Sequence, residues 1–185
     1  MPVLRTFRGK PSIALTGFMF TGKSSVGRRL AGKLDLEFVD LDEEIVAEAG
    51  LPIPEIFRLS GEKEFRAVEH RVLARVLTLP GRVFSTGGGV VIDPLNRELL
   101  ERHSCVIWLT ALVDTVLARF GSSRGKSRPL LQVDDPAAKI AELLAAREPY
   151  YAQCDIRIRT DGRSVRRVTE EIIRKVTGAD AIHEG

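Results

Sequence analysis

The sequence predicts an α/β fold in which one parallel sheet carries helices on both faces. Three observations lead there. From Ser12 to Val176, short apolar runs of strand length alternate with longer segments of helical periodicity. A glycine-containing turn, Gly17-Phe18-Met19-Phe20-Thr21-Gly22-Lys23-Ser24, joins the first apolar run to the first helical segment. No repeat, low-complexity tract or linker divides the 185 residues, a length that suits one domain with room for an insertion.

Residues 12–16 read as a buried strand, because Ile13-Ala14-Leu15 has nothing polar to turn toward water. A helix over residues 24–34 follows. Glu37-Phe38-Val39-Asp40 is the second strand, and residues 41–46 begin a helix with acids in its first turn, where the dipole favours them. Gly50-Leu51-Pro52-Ile53-Pro54 ends it. Residues 54–58 make a short helix. Ser60-Gly61-Glu62-Lys63 caps a longer one reaching about Leu77, on which Phe65, Val68, Val72, Val76 and Leu77 form an inward stripe.

Val83-Phe84-Ser85 is a strand that stops at Thr86-Gly87-Gly88-Gly89. Residues 95–102 are helical, 105–109 an apolar strand and 113–120 the next helix. Residues 121–129 are small and basic and lack core-forming side chains, so they read as a mobile surface loop. A long helix from Pro136 to about Cys154 carries Ile140, Leu143 and Leu144, with Pro149 near its end. Ile156-Arg157-Ile158 is the last strand, residues 165–176 are the closing helix, and the tail from 178 reads as frayed.

The turn at residues 17–24 matches G-x-x-x-x-G-K-[ST] in its required setting between strand and helix, which is the P-loop pattern. Backbone N–H groups of such a turn point inward at phosphate oxygens, and the helix N-terminus adds positive potential. Gly17, Phe20, Thr21, Gly22, Lys23, Ser24 and Ser25 are therefore the nucleotide-binding candidates. Lys23 can reach the outer phosphates, and the Ser24 hydroxyl can coordinate Mg²⁺.

In sheets of this kind ligands lie beyond the carboxyl ends of the strands. Asp40 leaves a strand there and could hold a metal, directly or through water. Asp42 could orient an acceptor hydroxyl and take its proton; alternatively, both acids merely suit a helix start. Arg66 and Arg147 could grip a planar carboxylate through paired hydrogen bonds, or could be solvated surface residues. Gly87-Gly88-Gly89 costs backbone entropy, which either a close ligand approach or a tight turn would explain. Arg128, in the basic loop, could reach a transferring phosphoryl group as that loop closes and excludes water.

In this order and spacing, the motifs resemble the shikimate kinase family across nearly the whole chain. The likeness rests on the P-loop, Phe38-Val39-Asp40-Leu41-Asp42, Gly61-Glu62-Lys63-Glu64-Phe65-Arg66, Thr86-Gly87-Gly88-Gly89, Arg128-Pro129-Leu130-Leu131 and Arg147-Glu148-Pro149-Tyr150. It implies a single P-loop kinase domain over 1–185 with five parallel strands ordered 2-3-1-4-5. A substrate-binding region at about 42–80, a lid at about 121–135 and a disordered tail at 178–185 go with it.

The implied reaction is ATP-dependent phosphorylation of the shikimate 3-hydroxyl, on the route to chorismate and the aromatic amino acids. By this resemblance Asp42 is the base, and Arg66 and Arg147 hold the carboxylate. Gly87, Gly88 and Gly89 line the substrate ring, Phe57 and Phe65 supply apolar wall, and Glu69 orients Arg66. Lys23 and Arg128 stabilise the phosphoryl group, while Ser24 and Asp40 serve Mg²⁺. Arg119 and Arg163 fall where the family packs against adenine. One departure stands out: the family usually has a further glycine where this chain has Phe20, so that side chain must turn away from the phosphates or the loop must shift.

Composition narrows the alternatives. With 44% hydrophobic and 29% charged residues the chain reads as a soluble protein with a full core, and the N-terminal residues lack the apolar run of a signal peptide. The net charge of +3 is dispersed and aromatics make up only 6%, which argues against a nucleic-acid platform. Cys105 and Cys154 read as buried free thiols, and the three histidines lack metal-ligand spacing. A GTPase is disfavoured, since neither N-K-x-D nor D-x-x-G is present. A kinase for gluconate or a nucleotide and a non-catalytic sensing domain are the remaining rivals. A cytoplasmic monomer, without nucleic-acid or membrane partners, is the expected form.

Overall fold

In the computed structural model, which describes residues 6–122, 131 and 133–178, strand β1 (Ser12–Thr16) is buried along its whole length. It lies at the centre of a five-stranded parallel sheet ordered β2-β3-β1-β4-β5, formed with β2 (Glu37–Asp40), β3 (Arg82–Ser85), β4 (Ser104–Thr110) and β5 (Ile156–Arg159). The expected strand order and parallel pairing are what the structure has. β1 and β4 are continuous apolar runs because helices cover both their faces. β5, at the edge, alternates instead: Ile156 and Ile158 are buried while Arg157 and Arg159 reach solvent.

The pleat sends alternate residues of β1 into two cores. Ile13 and Leu15 join the core covered by α1 (Lys23–Leu34) and α7 (Val165–Thr177), with Leu30, Val168 and Ile172 among its fully enclosed members. Ala14 faces the opposite core, under α2 (Leu41–Ala49), α3 (Ile53–Leu77) and α4 (Pro94–His103), with Phe84, Trp108 and Tyr151. A smaller cluster joins Phe18 of the P-loop to α5 (Val113–Ser122) and α6 (Pro136–Tyr151) through Val116, Ile140 and Leu131.

The expected break between two helices falls at Gly61, whose φ of 77° and ψ of 174° interrupt α3. The stripe of Phe65, Val68, Val72, Val76 and Leu77 is buried, joined by Leu73. One expectation needs correction: Cys105 is fully buried, whereas Cys154, beyond the end of α6, is only partly buried against the core. The basic loop, Arg128 included, and the tail beyond 178 lie outside the described residues. No helix among the described residues is long and apolar enough to cross a membrane.

Candidate active site

The P-loop curls as the glycine pattern requires. Gly17 has φ 132°, and a Cβ there would collide with the Leu109 carbonyl of the neighbouring strand end, so no other residue fits. α1 starts after Gly22 with no side-chain cap and no acid in its first turn, which keeps its positive end available to an anion. Lys23 Nζ folds over the turn, donating to the carbonyls of Gly17 (2.9 Å) and Phe18 (2.8 Å). Thr21 Oγ1 braces the same turn by donating to the Phe18 carbonyl at 2.8 Å.

Phe20 keeps the left-handed conformation that a glycine would adopt, with φ 62°. That conformation costs a Cβ-bearing residue about 1 kcal/mol. Two contacts hold it there. The ring packs on Phe120 of α5, centroids 5.7 Å apart, and Arg119 Nη1 donates to the Phe20 carbonyl at 2.9 Å. The side chain is therefore directed to α5, and the turn keeps its backbone shape.

Behind the turn stands a cluster of oxygens. Ser24 Oγ donates to Asp40 Oδ2 at 2.7 Å and lies 3.2 Å from Ser85 Oγ at the end of β3. Asp40 Oδ1 meanwhile caps α2 by accepting from the Asp42 amide. Asp40 thus caps the helix with one oxygen and meets the Ser24 hydroxyl with the other. One carboxylate and two hydroxyls form a hard, all-oxygen donor set, which fits a Mg²⁺ that keeps its remaining positions for water and phosphate.

The glycine stretch after β3 is where the remaining candidates meet. A Cβ on Gly87 would lie 3.0 Å from Asp42 Oδ1 and 3.4 Å from Glu69 Oε1, and one on Gly89 would lie 2.6 Å from Arg66 Nη2. On Gly88 it would sit 3.5 Å from the Met19 amide of the P-loop and 3.6 Å from Arg147 Nη1. The glycines are small because side chains from three helices and the backbone of the P-loop crowd them. Asp42, Arg66, Glu69 and Arg147 therefore surround one turn, and that turn borders the P-loop.

Arg66 Nη1 donates to Glu69 Oε2 at 2.7 Å, and Glu62 approaches Nη2 at 3.3 Å. Burial pushes the Glu69 carboxyl above its usual range against the opposing pull of the Arg66 guanidinium, and the nearby Asp42 and Asp93 push it further up. Arg147, only 8% exposed, donates to the Gly88 carbonyl at 3.2 Å and lies over the Phe18 ring. Two cations, one of them buried, beside Asp42 make a site for a small anionic molecule bearing a hydroxyl.

Phe57 stacks on Phe65 at 4.4 Å and is 37% exposed, giving the α3 side an apolar surface. Arg119 and Arg163 line an open depression of about 510 Å³ with Asp114, Thr115, Ala118 and Gly162. Arg119 is fixed by Thr160 as well as Phe20, and Arg163 pairs with Glu171. Ser25 is exposed on the first turn of α1. Two residues escaped the sequence reading: Ser85, signalled only by a hydroxyl closing an apolar strand, and Tyr151, four positions after Arg147 on the same helix face.

A P-loop turn and two arginines that meet at one rim of a parallel sheet make this a P-loop kinase of small molecules. More narrowly, the chain belongs to the shikimate kinase family, whose sequence model, described as "Shikimate kinase", matches residues 19–177. It is 46% identical to the shikimate kinase of Neisseria gonorrhoeae over 150 residues, 81% of this chain and 86% of that protein. It is 45% identical to that of Geobacter sulfurreducens over 161 residues, 87% of this chain and 88% of the other. Among solved structures, "Shikimate kinase from Acinetobacter baumannii in complex with shikimate" superposes with a TM-score of 0.86 at 37% identity, covering 92% of this chain and 94% of that one. The chain is accordingly an ATP-dependent kinase.

Proposed function

We propose that the chain transfers the γ-phosphoryl group of ATP to the 3-hydroxyl of shikimate, yielding shikimate 3-phosphate and ADP on the route to chorismate. The observation that carries this reading is the crowding of Gly87–Gly89 by Asp42, the Arg66–Glu69 pair, Arg147 and the P-loop. Arg66 and Arg147 grip the acceptor carboxylate, and Asp42 accepts the proton of the attacking hydroxyl. Lys23 neutralises charge on the transferred group, and the α1 N-terminus receives the phosphates. Ser24 and Asp40 would hold Mg²⁺, which when bound neutralises the β- and γ-oxygens.

Arg119 and Arg163 take the adenine side, and Phe57 and Phe65 the apolar face of the ring. Arg128 is assigned to the phosphoryl group on its sequence setting alone. Residues 42–80 act as the acceptor-binding region and 121–135 as the lid. A cytoplasmic monomer is the form that the family resemblance implies. A coupled assay decides: ADP release with ATP and Mg²⁺ should require shikimate, and turnover of gluconate in its place would overturn the acceptor assignment.

Two variants probe the clamp. Gly89→Ala has a backbone that tolerates a side chain (φ −104°), so its Cβ displaces only the far end of Arg66. The expected result is a shikimate KM about ten- to hundredfold higher, with the melting temperature near wild type. An unchanged KM would show that Arg66 does not grip the acceptor. Glu69→Gln tests the pH dependence. A raised Glu69 pKa means protonation starts above the usual glutamate range, so wild type comes to resemble the variant as pH falls. The difference in shikimate KM between the two should narrow toward acid; a constant difference across the pH profile rejects the orienting role.

A further inference from the structure

Tyr151 is 1% exposed, yet its hydroxyl sits inside the site region, 2.5 Å from the Gly88 carbonyl to which it donates. Arg147 Nη1 donates to the same oxygen at 3.2 Å. Residues 147 and 151 stand four apart on α6, so both side chains leave the same helix face and reach one acceptor. The Tyr151 ring is fixed in turn by stacking on Trp108, centroids 5.8 Å apart. Burial pushes the phenol pKa up to about 12, so it keeps its proton and remains a donor.

A carbonyl oxygen has two lone pairs, and here one goes to a phenol and the other to a guanidinium. That fixes the plane of the Gly88–Gly89 peptide. The bond is trans, like all the described peptide bonds, so the Gly89 N–H points opposite to the held carbonyl, away from α6. The Gly88 carbonyl and the Gly89 amide are two ends of one rigid lever. Without the Tyr151 hydroxyl, only Arg147 would hold that lever, and Arg147 also has a substrate carboxylate to bind.

Resting on the acceptor assignment above, we propose that Tyr151 is a positioning residue: with Arg147 it holds the Gly88 carbonyl and thereby aims the Gly89 amide at an oxygen of the acceptor. The role differs from core packing, which the Trp108 stack alone would satisfy. It also explains why a hydroxyl, rather than a phenylalanine edge, ends this buried side chain.

Tyr151→Phe removes one oxygen and leaves the ring stack intact. Shikimate KM should rise about fivefold, the worth of one neutral hydrogen bond, while ATP KM and melting temperature stay at wild-type values. In ¹⁵N-labelled wild-type enzyme the Gly89 amide should shift on addition of shikimate, and the shift should shrink in the variant. A folded Tyr151→Phe with unchanged shikimate KM, or a wild-type Gly89 amide indifferent to shikimate, overturns the role. So does a variant in which melting temperature falls and both KM values move together, since that is packing. Wild-type enzyme inert toward shikimate would instead overturn the functional reading, and this role with it.

Discussion

Asp42→Asn is expected to lower kcat by about 10²–10⁴-fold, the usual contribution of a positioned general base. The substitution keeps size and one acceptor oxygen, so α2 should form and ATP should still bind. Asp42 stands in the first turn of α2, two residues after the capping Asp40, and its carboxylate and that of Glu69 both close on Gly87. The amide cannot take a proton from the acceptor hydroxyl. Steady-state kinetics with shikimate varied at saturating ATP provide the check. A loss below tenfold in kcat would mean that Asp42 only binds the acceptor, and that proton removal falls to solvent or to the phosphoryl group itself.

Arg147→Ala carries the second large expected effect. Truncating one partner of a desolvated charged pair typically costs about 2–5 kcal/mol, which corresponds to a shikimate KM roughly 30-fold higher or more. The cation is buried against Phe18 and Gly88, so water cannot easily replace it once a carboxylate is bound. Arg147→Lys should recover part of the loss: it restores charge but not the planar fork. Isothermal titration with shikimate measures this without turnover. An affinity within threefold of wild type for Arg147→Ala would remove this arginine from the clamp.

The two effects differ in kind. In the proposed roles, Asp42 takes the reacting proton and should appear in kcat, whereas Arg147 holds a remote part of the substrate and should appear mainly in KM. Opposite outcomes would exchange the roles of the two sides of the Gly87–Gly89 turn.

Much of the architecture was legible in the chain because it depends on local patterns. Ile13-Ala14-Leu15 can only be an interior strand, Gly22-Lys23-Ser24 marks the turn into a helix, and Gly61 separates two helical segments. Each is set by backbone sterics and by the period at which apolar residues recur. The parallel order of the sheet followed from alternation with helices, since a parallel neighbour needs a crossover.

The surroundings of the site were less legible. Gly87-Gly88-Gly89 left both a tight turn and a close approach open, and the structure adds a third reason beside them. The three glycines make room for Asp42, Glu69, Arg66 and Arg147, residues that stand from 18 to 60 positions away along the chain. Phe20 looked like an obstacle until Phe120, a hundred residues on, was seen to take its ring. Cys154 read as buried because free cysteines usually are, yet just past the end of α6 it is only partly covered.

By itself the sequence determined the class of fold, the phosphate-binding turn and the identity of the groups with chemistry to offer. Periodicity and turn stereochemistry are properties of neighbouring residues, and a linear chain displays them directly. Which arginine meets which carbonyl, why Ser85 joins Ser24 and Asp40, and that Tyr151 reaches Gly88 were decided only by tertiary structure. Those contacts exist because β2, β3 and β1 set their ends side by side and α6 reaches the same rim, bringing together segments that the chain keeps far apart.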